Sequence, residues 1–312
     1  YTPTITATCG SDSSVTAEAT LTITVEAGEK GDERQYGYDE TPQDSVRVWV
    51  TISSDGVPIR GNDGTVLSHL EVNVPYFDLE NQGLSDYYRY HTENGSGSYV
   101  DTEIVRRPTA LHLYLYMIGV YYLGLKPEQV TTGEVQILGH DGDMGVENML
   151  GGIAYEDEHL ALYLTGSATS MYMQQFWGHD ENLMYYRNHV YPLMGPGWGS
   201  TADYVLLSDD DTIDLAMFSN WSFWKDGAFA CFDQDAYSVQ PGKSITFSTM
   251  KYDTKSVADG GTEQTEPITG LTVAVYDKDW TFVETVKPTM DVGSDYTYTF
   301  ATEGTYYLLA MD

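Results

Sequence analysis

Large aromatic rings and short hydrogen-bonding side chains alternate within one stretch of the chain, positions 174–199. A buried segment would carry aliphatic residues in place of the polar ones, and a solvated loop would carry fewer rings. Such a mixture suits a ligand that offers both apolar C–H faces and hydroxyl groups. Rings stack on the faces, while Asp, Asn, His and Lys side chains bond the hydroxyls, and sugars have this chemistry.

A second aromatic stretch, NWSFWKDGAFACF, follows at 220–232. Taken singly, each ring is about as often part of a core, because aromatic side chains dominate cores by area. The glycine and proline residues around Trp198 predict a loop, where a packed ring is less expected. For the cluster as a whole we favour ligand binding. The predicted ligand-binding residues are Trp177, His179, Asp180, Asn182, Tyr185, Trp198, Trp221, Trp224, Lys225 and Asp226.

The charge of the chain restricts its partners. It has 47 acidic and 15 basic residues among 312, a net charge of −32. Such a field repels nucleic-acid phosphates and anionic membrane surfaces, so we expect no nucleic acid as partner. No stretch approaches 18 consecutive apolar residues, and we expect no membrane insertion. The two cysteines, Cys9 and Cys231, are too few for a disulfide framework.

Catalytic and metal-binding signals are weak. The sequence has no G-x-S-x-G, no H-E-x-x-H and no phosphate-binding loop, and no pair among its many carboxylates stands out as a glycosidase pair. Calcium could use the acidic runs around Asp141 and Asp209, but neither run fits the twelve-residue calcium loop, and solvated turns explain them more simply. We therefore expect a protein that is not an enzyme, with no catalytic residues, no cofactor and no metal.

The residues around these rings predict a mostly β fold. In 45–54, valine and isoleucine alternate with polar or aromatic residues before the turn signal Asp55-Gly56. Only 108–123 has helical spacing, with Pro108 suited to the first turn and Gly124 to the position past the end. Apolar residues on both of its faces predict a helix buried nearly all round, and Gly119 predicts close packing against a sheet.

The predicted fold class is mostly β with one buried helix (α+β). A β-grasp-like central unit at 45–250, with its helix near 108–123, would be flanked by immunoglobulin-like β-sandwich strands. Those strands are expected at 1–44 and 268–312, and the hydrophilic stretch 251–267 is expected to be a linker.

One stretch resembles a known family. LMYYRNHVYPLMGPGWGSTADYVLLSDDDTIDLAMF, positions 183–218, is similar to the transcobalamin C-terminal-like domain, a β-grasp module. In that family a Tyr-x-Asn strand precedes a Leu-x-x-Gly-Asp turn. The corresponding positions here are 186–188 and 207–213, with Asp210 in place of the glycine.

The central stretch also resembles large surface proteins of Gram-positive gut anaerobes, some of them similar to the starch-adherence proteins of amylosomes. This resemblance implies a secreted, extracellular protein of the cell surface, of which the chain is one part. It implies a non-catalytic carbohydrate-binding module for α-glucan such as starch or malto-oligosaccharides. Two alternatives stay open, a corrinoid-binding domain and a structural or adhesive spacer of a surface protein, because one fold hosts many functions.

Overall fold

The structure is a computed structural model. It describes residues 4–9, 12–20, 41–82, 106–139, 151–152, 162–167, 170–179, 182–189, 193–195, 198–199, 202, 205–219, 229–252, 266–290 and 293–311.

β-Strands dominate the regular structure of these residues. The strands are β1 (Thr4–Cys9), β2 (Asp12–Thr20), β3 (Ser45–Ser54), β4 (Val57–Pro58), β5 (Leu70–Pro75), β6 (Leu138–Gly139), β7 (Gly151–Gly152), β8 (Leu162–Ser167), β9 (Ser170–Phe176), β10 (Asn182–Arg187), β11 (Leu193–Gly195), β12 (Trp198–Gly199), β13 (Asp211–Phe218), β14 (Ala230–Phe232), β15 (Ser244–Lys251), β16 (Thr272–Asp277), β17 (Phe282–Val286), β18 (Asp295–Thr299) and β19 (Tyr306–Met311). The helical segments are a 3₁₀ turn (Leu79–Gln82), α1 (Ala110–Met117), a π-helical turn (Ile118–Tyr122) and α2 (Pro127–Thr131). The predicted mostly β, α+β fold is confirmed.

The central sheet has five strands in the order β10-β13-β3-β4, with β5 also paired to β3. β3 runs parallel to β13 and antiparallel to β5. Its alternation separates two faces: Val46, Val48, Val50 and Ile52 are at most 1% exposed, whereas Trp49 is half-buried on the other face. The apolar face shares one core with α1. The β-grasp assignment of this unit stays a prediction.

α1 begins after Thr109, and the buried side chain of His112 caps its first turn. The Thr109 backbone N–H donates to His112 Nδ1 at 3.1 Å, which satisfies one of the unpaired donors of the first turn. His112 Nε2 then carries the proton and donates to the carbonyl oxygen of Phe77 at 3.0 Å. Burial lowers the pKa of His112 to about 4, so the ring is neutral at physiological pH. Within the described ranges, no helix is long and apolar enough to cross a membrane.

The π-helical turn after α1 packs on a second helix that the sequence analysis does not predict. Gly119 lies against α2 rather than against a sheet. A Cβ atom at Gly119 would lie 2.3 Å from Val130 Cγ2 and 2.9 Å from Ile137 Cδ1, both shorter than van der Waals contact. Glycine is therefore required at this position by the close approach of the two helical segments.

Replacing Gly119 by alanine is expected to lower the free energy of unfolding by about 1–3 kcal/mol, because an added methyl overpacks a dense core. Truncating the opposing side chain should make room for that methyl. Gly119→Ala and Val130→Ala should therefore show strongly non-additive losses when combined, measured by urea unfolding of both single variants and the double variant. Additive losses would contradict the close approach.

The acidic run at 209–211 shapes the turn before β13. The Arg47 backbone N–H donates to Asp209 Oδ1 at 2.8 Å, and the Arg47 guanidinium pairs with the Asp210 carboxylate. Asp210 has φ +67°, the left-handed region that aspartate enters more readily than most residues. The family that the stretch resembles has glycine at this position, the residue that adopts positive φ most easily.

Asp211 ties this turn to β10. It is 4% exposed and accepts hydrogen bonds from Arg187 Nε at 2.6 Å, Asn188 Nδ2 at 2.9 Å and the Ser208 backbone N–H at 2.7 Å. Asn188 Oδ1 in turn accepts the backbone N–H of Thr212 at 2.9 Å. The carboxylates of this turn are therefore hydrogen-bonded within the protein. Through Asn188, the Tyr-x-Asn motif joins the end of β10 to the start of β13.

Two three-stranded sheets, β14-β15-β18 and β17-β16-β19, form the C-terminal part. Their small core is built around Phe247, Val273, Val275 and Tyr296. β15 lies before the predicted linker and pairs with β18, which lies after it. A third cluster, centred on Tyr186 and including Met184, Phe218 and Tyr252, packs β10 and β13 of the central sheet against β14 and the residue that follows β15. The immunoglobulin-like assignment and the domain boundaries stay predictions.

Candidate functional site

An aromatic cleft lies between the central sheet and the β16–β17 hairpin. Its volume is about 450 Å³, within the range of small-molecule sites. The lining residues are Trp49, Arg60, Gly64, Thr65, Val66, Ser68, His69, Leu70, Glu71, Lys278, Asp279, Trp280 and Tyr307. We call this site the aromatic cleft. Stacked ring pairs and polar side chains line it together. The sequence predicts this combination in another part of the chain, at 174–232.

One wall of the cleft is a stacked pair, Trp280 and Tyr307, with ring centroids 4.6 Å apart and planes at 10°. The β16–β17 turn presents Trp280. Asp277 Oδ1 accepts the backbone N–H groups of Asp279 at 2.9 Å and Thr281 at 2.8 Å, and the Trp280 N–H donates to the Asp277 carbonyl oxygen at 2.9 Å. These bonds hold Trp280 at φ +57°, a conformation that is unfavourable for a bulky side chain. Such strain concentrates at functional sites.

The second wall is Trp49 stacked on His69, with centroids 4.5 Å apart and planes at 9°. Trp49 comes from the outer face of β3, and His69 precedes β5. The backbone N–H of His69 donates to Thr51 Oγ1 at 3.0 Å, and His69 has φ +47°. Burial is the main influence on His69 and lowers its pKa, so the ring beside Trp49 is neutral at physiological pH.

Charged residues of both signs form the rim of the cleft. Arg60 and Glu71 come from the central unit and Lys278 and Asp279 from the hairpin, and all four are exposed. Arg60 Nη1 donates to the Gly64 carbonyl oxygen at 3.0 Å, and Lys278 Nζ lies 2.7 Å from Asp279 Oδ2. Two bases and two acids leave the rim with no net charge, although the chain as a whole carries −32.

A partly buried charged cluster interacts with His69 of the cleft. His189 lies between two carboxylates, with Nε2 2.9 Å from Asp235 Oδ1 and Nδ1 3.4 Å from Asp214 Oδ2. Tyr252 donates to Asp214 Oδ2 at 2.6 Å. Burial alone would lower the pKa of His189, but the hydrogen bonds and charges of the two carboxylates outweigh it and raise the pKa to about 9.

The charged side chains of this cluster pair with one another and do not form a metal site. Because Asp214 and Asp235 approach opposite ring nitrogens of His189, the three side chains do not converge on one point. Across the part of the chain that the structure describes, no group of three or more His, Cys, Asp or Glu side chains is arranged to hold a metal ion. Cys231 lies near the same carboxylates, and burial raises the pKa of its thiol to about 12, so it is protonated.

Of the residues predicted from sequence, Trp177 lies at the tip of a two-residue turn. Phe176 and His179 exchange backbone hydrogen bonds of 3.0 and 2.9 Å across it, and Trp177 has φ +56°. The Trp177 ring is half-buried, edge-on to the Tyr122 ring at 5.1 Å. His179 is also half-buried. Trp177 therefore packs partly on the central core and keeps part of its surface exposed.

Two further predicted residues have structural contacts in β10. Asn182 Nδ2 donates to the carbonyl oxygen of Phe218 at 3.2 Å, and Tyr185 packs edge-on to Tyr114 at 6.2 Å. The predictions for Asp180, Trp221, Trp224, Lys225 and Asp226 fall outside the described residues. Of Trp198 only the backbone, in β12, is described. The sequence-based site therefore stays a prediction.

The sequence analysis misses the residues of the aromatic cleft. Trp49 and Trp280 each stand apart from other tryptophans and are separated by 230 intervening positions, so no local window brings them together. A signal existed in the alternation of β3, which places Trp49 on the face opposite the valines. Another was the run Asp277 to Trp280, a turn sequence that ends on a bulky ring.

Comparison with protein-family models, curated proteins and solved structures finds no match to this chain. The function must therefore be argued from the cleft itself. Its ring faces can stack on apolar faces of a ligand, and its hydroxyl and charged side chains can bond the ligand's polar groups.

Proposed function

We propose that this protein is a non-catalytic carbohydrate-binding module and that the aromatic cleft binds the sugar. The observation that carries the proposal is the Trp280–Tyr307 wall, in which the turn fixes a tryptophan in a strained conformation at the edge of a cleft. Trp280 is half-buried there, so part of its surface stays open to a ligand.

The chemistry of the cleft suits a neutral sugar. The Trp280 and Trp49 pairs supply flat apolar surfaces, and the hydroxyls of Thr65 and Ser68 lie in the same lining as the charged rim. The balanced rim gives no preference for a charged ligand, while the net charge of −32 disfavours anions at a distance. Binding should depend little on salt, because stacking and hydrogen bonds to neutral groups release no counterions.

The carboxylates of the cleft support a binding role more than catalysis. Glu71 and Asp279 are both exposed. In glycosidases the proton donor is a carboxyl in an apolar environment that raises its pKa, opposite a second carboxylate. Neither lining carboxylate has such an environment.

The α-glucan preference and the cell-surface location rest on the resemblance to starch-adherence proteins. The ring-rich stretch around Trp177 stays a second candidate position for the same activity.

We expect the protein to be retarded in native gels that contain starch, and Trp280→Ala to lose this retardation. Loss of a central stacking ring should weaken binding by about 1–2 kcal/mol, or roughly five- to thirtyfold in Kd. The gel series should also include pullulan, dextran, cellulose and xylan, which tests the type of glucan. Trp280→Tyr is the matched control, because it keeps an aromatic face and should retain most of the binding.

Trp177→Ala, run beside these variants, separates the two candidate positions. Retardation that is lost in Trp177→Ala but kept in Trp280→Ala would move the site to the sequence-predicted stretch. If no glycan retards the wild-type protein, the proposed function is wrong and the spacer alternative gains support. A visible spectrum recorded after incubation with cobalamin and desalting tests the corrinoid alternative.

A further inference from the structure

A row of aromatic side chains crosses the sheet that carries the wall of the cleft. Tyr276 in β16 is the register partner of Phe282 in β17 on one side and of Tyr307 in β19 on the other. Directly opposed residues point to the same face of a sheet, so the three rings lie side by side. Neighbouring strands are about 4.8 Å apart, so the row spans about 10 Å.

Ring contacts connect this row to the cleft. Trp280 stacks on Tyr307 and lies 5.4 Å from Tyr276, and Tyr276 lies 5.9 Å from Phe282, edge-on. The cleft and the outer strand are therefore joined by one continuous aromatic surface. We call these four residues the aromatic row.

The outer end of the aromatic row is open to solvent. Phe282 is 55% exposed, whereas Tyr276, Trp280 and Tyr307 of the same row are half-buried. The neighbouring Val283, 43% exposed, is the extra residue of a bulge, because the pairing with β16 shifts register between Val275 and Tyr276. Phe282 therefore extends the aromatic surface from the cleft to the outer strand of the sheet.

We propose that the binding site extends from the aromatic cleft along the aromatic row to Phe282, so that its ligand is a glycan chain bound along its length and not only a terminal sugar. This inference rests on the proposed function. The cleft would hold part of the chain, and Tyr276 and Phe282 would stack on sugar units further along it. A single sugar unit could contact the cleft but could not also reach the outer strand.

The charge of the protein helps to choose this occupant. Rows of exposed rings also bind single-stranded nucleic acids, but these ligands require a positively charged groove, and this chain carries −32. Proline-rich peptides dock on aromatic grooves too. The glycan is favoured because the row is continuous with a cleft whose rim has charged and hydroxyl groups suited to several hydroxyls.

The test compares chain lengths by calorimetry, with methyl α-glucoside, a single sugar unit, as the short ligand and maltoheptaose as the long one. Phe282→Ser should weaken the binding of maltoheptaose about three- to tenfold and leave methyl α-glucoside binding unchanged, because only the long chain reaches the outer strand. Met290→Ser is the matched control, a change of an exposed apolar side chain outside both the aromatic row and the cleft lining, and should alter neither affinity. A longer glycan can bind the cleft in more registers, which raises its affinity without any contact to Phe282. The wild type and the variants are therefore compared with the same ligand.

Three results would overturn the inference. Phe282→Ser could leave maltoheptaose binding intact, it could weaken both ligands equally, or a polyproline peptide could bind the aromatic row in place of glycans. Phe282→Leu, which keeps apolar bulk without a ring, guards against a folding defect and should give the same length-dependent loss. If the wild type retains glycans in the gel series and only the length effect is missing, the proposed function survives without this extension.

Discussion

Asp211→Ala is expected to lower the free energy of unfolding by about 3–5 kcal/mol, the loss that follows removal of one partner from a buried ion pair. Its carboxylate is 4% exposed and accepts three hydrogen bonds. Without it, Arg187, whose side chain is only 16% exposed, loses the carboxylate oxygen that lies 2.6 Å from its Nε. The Asn188 amide and the Ser208 backbone N–H lose their acceptor as well.

Urea unfolding followed by circular dichroism measures this effect. Asp210→Asn is the matched control one residue away. Asp210 and Arg47 are both exposed, and water screens such a surface pair, so its contribution to stability is small. Asparagine also tolerates the left-handed backbone at this position. If the two variants have similar stabilities, Asp211 does not hold the turn to β10 as the hydrogen bonds indicate.

The stability of the protein is expected to fall between pH 6.5 and 9 because of His189. The two carboxylates raise the pKa of His189 in the folded state to about 9, from 6.5 in the unfolded chain. Because its folded-state pKa is above the unfolded one, His189 contributes its full stabilisation of the folded state below pH 6.5. This contribution is lost as pH rises through 9. A shift of this size corresponds to on the order of 3 kcal/mol.

Unfolding at pH 6.5, 8 and 9.5 of the wild type and of His189→Gln tests this expectation. The variant should be much less stable at pH 6.5 and nearly equal to the wild type at pH 9.5, where His189 is neutral in both states. Val57→Ser, a change of an exposed side chain that does not titrate, should differ from the wild type by the same amount at all three pH values. His112 does not confuse the result, because its lowered pKa reduces stability only as pH falls from 6.5 towards 4.

Parts of the fold could be predicted because their periodicity is long and regular. The ten residues of β3 alternate without interruption, and 108–123 contains both α1 and the π-helical turn. α2 has only five residues, too few to show a helical period. The partner of Gly119 was predicted as a sheet, since glycine in a sequence indicates close approach without indicating to what.

The aromatic cleft could not be predicted for a physical reason. Local density of rings guided the sequence analysis to 174–232, but a cleft assembles from positions that are distant in the chain. Alternation places Trp49 on the outer face of β3, yet nothing local indicates that Trp280 and Tyr307 come to lie opposite it. The pairings that create the cleft are tertiary.

The parallel pairing of β3 with β13 determines when the protein can fold during its synthesis. Residues 48–54 pair with 211–217, so about 160 residues must leave the ribosome after β3 before its partner is available. In that interval the valine face of β3 and the apolar α1 have emerged but cannot complete the core. These apolar surfaces therefore stay open to aggregation until β13 has been synthesised.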